Sequence, residues 1–323
     1  MARQGVTTII ILSALFATFC IVGGSEGDQS PFYRNCIDKC IQANCTKGGK
    51  FANLSNEHYS TLDSLIGWTC QDECRYTCMW PTVEAFRGRN WNVPQFHGKW
   101  PFVRLLCMQE VASVTFSILN FIVQFNEWRK FRKEVKPDYP FYWMWSFYVM
   151  ICLNSWIWSI VFHARDTSFT EIMDYVSAFS VVTYFLFCFG ARVGSHLFRG
   201  ATVVHACLCI ALYVFHATYL LFVKLDYGYN MVVNVSVGGV TSIVWFAWCI
   251  KNRKELPHTH YLMHFLLGLW ATMLFEILDF EPIYKIFDAH AIWHCTTIPL
   301  PYLLFRFVKA DCKYLHKEKE KNI

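Results

Sequence analysis

Charge is what this sequence has least of. Asp, Glu, Lys and Arg make up 16% of its 323 residues, against roughly 25% in an average soluble domain. Hydrophobic residues reach 54%, aromatics 18% and mean hydropathy +0.27, so the scarcity excludes a disordered chain and an ordinary soluble one. The net charge of +5 does not indicate a nucleic-acid partner. Its basic residues lie in short loops between apolar runs, not on one soluble surface. A second absence concerns cysteine. None of the fifteen cysteines forms the C-x2-C pair common in structural zinc sites.

Six cysteines do crowd into one polar stretch: Cys36, Cys40 and Cys45, then Cys70, Cys74 and Cys78. An even number in an exported segment reads as a disulfide framework of three bridges, with the pairing left open. Export is signalled by residues 1–25: Arg3, an apolar run, then Gly23-Gly24-Ser25. That is the layout of a secretory signal peptide, and its core is short for a retained span. Residues 26–99 then form a Cys-rich lumenal domain. It holds acceptor sequons at Asn44-Cys45-Thr46 and Asn53-Leu54-Ser55. A third, at Asn234, lies inside an apolar run.

From Trp100 onward seven apolar segments follow, at 102–125, 141–163, 171–191, 201–223, 229–250, 261–280 and 288–308. Each approaches the ~20 residues that cross the hydrocarbon core. The expected fold is therefore all-α: a small disulfide-rich N-terminal domain followed by a seven-helix membrane domain over 100–309. Arg129, Lys130, Arg132, Lys133 and Lys136 lie between segments 1 and 2. Arg192 and Arg199 lie between 3 and 4, and Lys251, Arg253 and Lys254 between 5 and 6. The alternate loops carry only Arg165, Lys224 and Lys285. Positive-inside reasoning puts the first set in the cytosol and the second in the lumen, in agreement with the signal peptide. Residues 310–323 are then a cytosolic tail. Its Lys319 and Lys321 sit where a K-x-K-x-x retrieval signal would offer them to a coat protein; a plain solvated tail is the alternative. Either way the chain reads as a protein of the early secretory pathway, in the Golgi with cycling through the endoplasmic reticulum.

The chemistry falls on one side of that topology. Ser159 and His163 are four apart near the lumenal end of segment 2, on one helical face. Asp174 lies near the lumenal start of segment 3, and His290 and His294, again four apart, open segment 7. Ionisable groups within a membrane are expensive and by default functional. Three neutral imidazoles with an open fourth position are the ligand set of a catalytic zinc, so His163, His290 and His294 are the expected Zn²⁺ ligands. Asp174 is the expected general base, and Ser159 either donates a hydrogen bond to the developing oxyanion or fixes the water. His260 and His264 share the spacing but begin segment 6 at the cytosolic face, and with His258 they read as interfacial. His205 and His216 read as packing residues. Glu110, Glu276 and Asp279 lie in lumenal halves, where they orient imidazoles or pair with Arg104 or backbone groups.

The set S-x-x-x-H, an Asp eleven residues later and a late H-x-x-x-H resembles the superfamily of alkaline ceramidases and progestin/adipoQ receptors. W-P-F-x-R at 100–104, F-H-A-R-D-T at 162–167, L-D-Y-G-Y-N at 225–230 and D-A-H-A-I-W-H at 288–294 narrow it. With the Cys-rich domain, they resemble the GPI-remodelling phospholipase family, post-GPI-attachment-to-proteins factor three. That resemblance implies GPI-anchored proteins as substrates, with removal of the sn-2 acyl chain from a membrane lipid. A seven-helix receptor, or a chaperone for GPI-anchored cargo, is the rival reading; neither needs a general base beside a metal.

Overall fold

The computed structural model describes residues 25–52, 66–194 and 200–321. Residues 1–24 of the expected signal peptide, the Asn53 sequon and Arg199 lie outside them. Among the described residues eleven helices and no strands occur: α1 (Glu26–Gln29), α2 (Pro31–Asn44), α3 (Cys70–Arg87), α4 (Val111–Glu134), α5 (Tyr142–Ala164), α6 (Ser168–Gly194), α7 (Ala201–Phe222), α8 (Tyr227–Asn252), α9 (Thr259–Ile277), α10 (Ala289–Thr297) and α11 (Leu300–Lys321). They fall into two compact units, one spanning 113–278 and 290 onward, the other reaching to Ala112 and taking in 279–289.

In the smaller unit α2 and α3 pack together and three nested bridges join them: Cys36–Cys78, Cys40–Cys74 and Cys45–Cys70. Cys36 and Cys40 in α2, and Cys70, Cys74 and Cys78 in α3, recur every four residues and so share one helical face, with Cys45 directly after α2. One helix runs antiparallel to the other, so the first cysteine of α2 meets the last of α3. Proline opens α2 at its first position, where the missing N–H costs nothing. Thr69 and Asp72 form a reciprocal capping box at the start of α3. Tyr33, Met79, Val83, Val93 and Phe96 fill the small core beside the bridges. Burial and the nearby Asp28 carboxylate push the Tyr33 hydroxyl up to about 12. Replacing Cys40 and Cys74 together by Ser is expected to cost about 2–5 kcal/mol, read as earlier thermal unfolding and faster tryptic cleavage of the unit.

In the larger unit α6 packs against α5, α7 and α8, and α9 against α8 and α11. Trp145, Trp245, Phe185, Phe265, Phe305 and Phe307 form the centre of its core. Among the described residues four helices, α5 to α8, are long and apolar enough to cross a membrane. The remaining expected segments differ in informative ways. The segment expected from 102 becomes helical only at Val111, after a tight turn with positive φ at Leu106 and Cys107. Along α4, Ser113, Ser117, Asn120, Gln124 and Glu127 recur at spacings of three and four and are all buried, while Ile118, Leu119, Ile122 and Phe125 are exposed. The helix is polar inside and apolar outside, which lowers its average hydropathy without removing its apolar outer face. The last segment is two helices, not one. Pro299 has no N–H to continue the ladder, and α10 stops at Thr297.

That break has a local cost which neighbouring side chains meet. The Ile298 N–H, which would serve the His294 carbonyl in a continuous helix, bonds to the Cys295 carbonyl at 3.3 Å instead. The His294 carbonyl accepts from Asn120 Nδ2 and Thr297 Oγ1, both at 2.8 Å. A buried carbonyl freed by a helix break must find such partners. Beyond the break α11 continues unbroken through Lys319 and Lys321, so the expected tail is helical up to Lys321.

Candidate metal centre

The last turn of α5 carries His163, with Ser159 one turn earlier; both are buried. The first turns of α10 carry His290, half-buried, and His294, buried. Because α5 arrives where α10 departs, the three rings meet edge to edge. The Nε2 atoms stand 3.4 Å apart for His163 and His290, 3.2 Å for His163 and His294, and 3.0 Å for His290 and His294. Three ring nitrogens of one type converging this closely require a shared proton or a cation between their lone pairs. Nitrogens held about 2.0–2.1 Å from a tetrahedral zinc stand roughly 3.3 Å from one another. The donor set and its spacing therefore fit a zinc-type ion.

The surroundings hold these rings in place. Glu276 at the end of α9 accepts from His290 Nδ1 at 2.8 Å. Tyr227, the first residue of α8, reaches the other Glu276 oxygen at 3.3 Å. Trp156 and Trp293 pack on the His294 ring, with centroids at 5.6 and 4.9 Å. Ser159 Oγ shares a buried 2.9 Å hydrogen bond with Ser117 of α4. Asn120, one turn further along α4, holds the His294 backbone as described above.

Of the five residues expected from sequence, the structure brings three imidazoles into one group and sets Ser159 one turn from His163. Asp174 is half-buried in the second turn of α6 and is not a member of the three-nitrogen group. Its backbone carbonyl accepts from Ser177 Oγ. Of the three carboxylates left open, Glu276 reaches an imidazole of the group. Glu110 pairs with Lys99, and Asp279 accepts from Gln95 and Trp100. Arg104 is held elsewhere, by Glu73 at 2.6 Å. Ser117 and Asn120 went unread in the sequence. Their signal is the polar stripe along α4, visible at i+3/i+4 spacing once the segment is taken as a helix.

The remaining candidates resolve as packing or pairing groups. His258 bonds to Asp311 at 3.2 Å and His260 to the Pro257 carbonyl at 2.6 Å. His205 contacts the Leu186 carbonyl and His216 the Asn230 side chain, at 3.0 and 3.2 Å. Cys45, Cys70 and Cys74 also lie close enough to hold an ion, but all three sulfurs are taken up in disulfides.

The model of the Per1-like family matches residues 60–312. The chain is 40% identical to "Post-GPI attachment to proteins factor 3" of Drosophila melanogaster, over 96% of this chain and 95% of that protein. It is 41% identical to "GPI-specific phospholipase A2-like PGAP3" of Cricetulus griseus, over 96% of both chains, and 40% identical to the Homo sapiens protein of that name, over 96% of both. No solved structure matches. With a family match across most of its length and relatives of this identity along nearly all of it, the chain belongs to the Per1-like family.

Proposed function

We propose that this chain is a membrane-embedded lipid hydrolase that removes the sn-2 acyl chain from GPI-anchored proteins during remodelling of their anchor. The observation that carries the proposal is the convergence of three Nε2 atoms within 3.0–3.4 Å. It occurs in a chain whose relatives are named GPI-specific phospholipase A2-like. Seven spans are proposed: α4 to α9, then α10 with the part of α11 up to residue 309 as a broken seventh, with the imidazoles at the lumenal end. GPI-anchored proteins are displayed in the lumen, and an acyl ester lies at the membrane–water boundary, the depth at which the ends of α5 and α10 would place it.

In this reading His163, His290 and His294 hold Zn²⁺. Such an ion polarises an ester carbonyl and makes water a better nucleophile near neutral pH. The chain's own residues do the rest. With Ser117 as the donor in the shared hydrogen bond, the Ser159 proton would be available to the negative charge that builds on the carbonyl oxygen as water adds. Asp174 takes the proton of the attacking water. When the bond to the glycerol oxygen breaks, Asp174 returns that proton to the leaving lysolipid alcohol. Water and ester become fatty acid and lysolipid, with the base regenerated.

The purified protein is expected to contain about one zinc per chain and to release lysolipid and free fatty acid from a GPI-anchored substrate. Chelation should stop release and added zinc restore it. Stoichiometric zinc without lysolipid release would favour a receptor. Neither zinc nor release would leave a cargo chaperone.

A further inference from the structure

Glu276 is a carboxylate in the wrong place for a solvated surface group. It sits one residue before the end of α9, and its side chain is 8% exposed. A buried charge of this kind persists only where it is paired or hydrogen-bonded. Its contacts are specific: one oxygen takes the His290 Nδ1–H at 2.8 Å, and the other faces the Tyr227 hydroxyl at 3.3 Å. The second histidine of the same helix is held differently. His294 Nδ1 is buried without a hydrogen-bond partner. That ring is placed by indole packing and by the grip of Asn120 on its backbone.

We propose that Glu276, braced by Tyr227, is the positioning residue that makes His290 a metal ligand. An acceptor at Nδ1 fixes the tautomer with hydrogen on that nitrogen, so the lone pair of Nε2 points into the group shared with His163 and His294. The carboxylate also raises the donor strength of that lone pair. His290 needs this more than its neighbours. It is the most exposed of the three, with a side chain 32% accessible, so packing alone leaves its ring free to turn. The inference rests on the metal reading given above, and the variants separate the two.

The test is zinc affinity of the purified full-length protein, measured by competition with a chromophoric chelator. Glu276→Leu removes the acceptor, Glu276→Gln keeps an acceptor oxygen but not the charge, and Tyr227→Phe removes the bracing hydroxyl. Zinc affinity is expected to fall about 10–100-fold in Glu276→Leu, less in Glu276→Gln, and least in Tyr227→Phe. Excess zinc should restore lysolipid release to Glu276→Leu but not to His290→Ala. The thermal midpoint of each zinc-free variant, compared with the zinc-free parent, separates loss of positioning from loss of fold. Unchanged zinc affinity in Glu276→Leu, with His163→Ala losing it, would overturn the role of Glu276 while leaving the metal reading intact. Unchanged affinity in His163→Ala would overturn both.

Discussion

Cells that lack GPI acyl remodelling are expected to regain it when supplied with this chain, and not to regain it with His290→Ala at matched expression. The expectation follows from geometry. His290 contributes one of three nitrogens that all lie within 3.4 Å of each other, and two remaining imidazoles are a poor site for zinc. Asp174→Ala should fail too, for a different reason. General acid–base groups contribute roughly 10²–10⁴-fold to rate, and Asp174 is not one of the three grouped ligands, so this variant should keep its zinc. The pair therefore separates metal binding from proton transfer. Lysolipid release by each variant, with metal content on the same preparation, is the measurement. Rescue by both variants would mean that the histidine group is structural and that a receptor or chaperone role replaces hydrolysis.

The second large effect is on stability, at the ends of α6 and α11. Asp311 is 1% exposed and Arg192 7% exposed, and they form a two-pronged pair at 2.8 and 3.0 Å. His258 donates to the same carboxylate at 3.2 Å, and the guanidinium lies over the Trp248 ring at 5.0 Å. Removing one partner leaves an uncompensated buried charge. Asp311→Ala is therefore expected to destabilise by about 3–5 kcal/mol, while Arg192→Met with Asp311→Leu should recover most of the loss. A thermal midpoint for Asp311→Ala equal to the parent's would refute the expectation. Acid acts on the same pair. Burial alone would raise the Asp311 carboxyl, but hydrogen bonds from His258 and Arg192 outweigh it and hold the group below its usual value. A carboxyl lowered in the fold contributes its full stability above its unfolded pKa of about 3.9. That contribution disappears as pH falls through the lower folded value. Melting of the parent should thus be insensitive to this group near neutrality and fall in strong acid. Asp311→Asn should lack that component.

Helices, apolar segments and the pairing of Ser159 with His163 and of His290 with His294 on one face were legible because each has a one-dimensional signature. Apolar runs of about twenty residues have few alternatives to helix, and Ser159/His163 and His290/His294 share a helical face by spacing alone. The six clustered cysteines announced disulfides on the same footing. What the chain order could not express was which helix meets which. The nesting of Cys36, Cys40 and Cys45 with Cys78, Cys74 and Cys70 depends on α2 and α3 running antiparallel. The pairing of Glu276 with His290 depends on where α9 ends relative to α10. The polar face of α4 reads as a weak apolar segment until packing shows that Ser117 and Asn120 point at Ser159 and His294. Spacing within one helix is a local geometric consequence of 3.6 residues per turn, so sequence by itself determines it. Contacts between helices are set by the burial of whole faces against one another, and only the tertiary structure decides those.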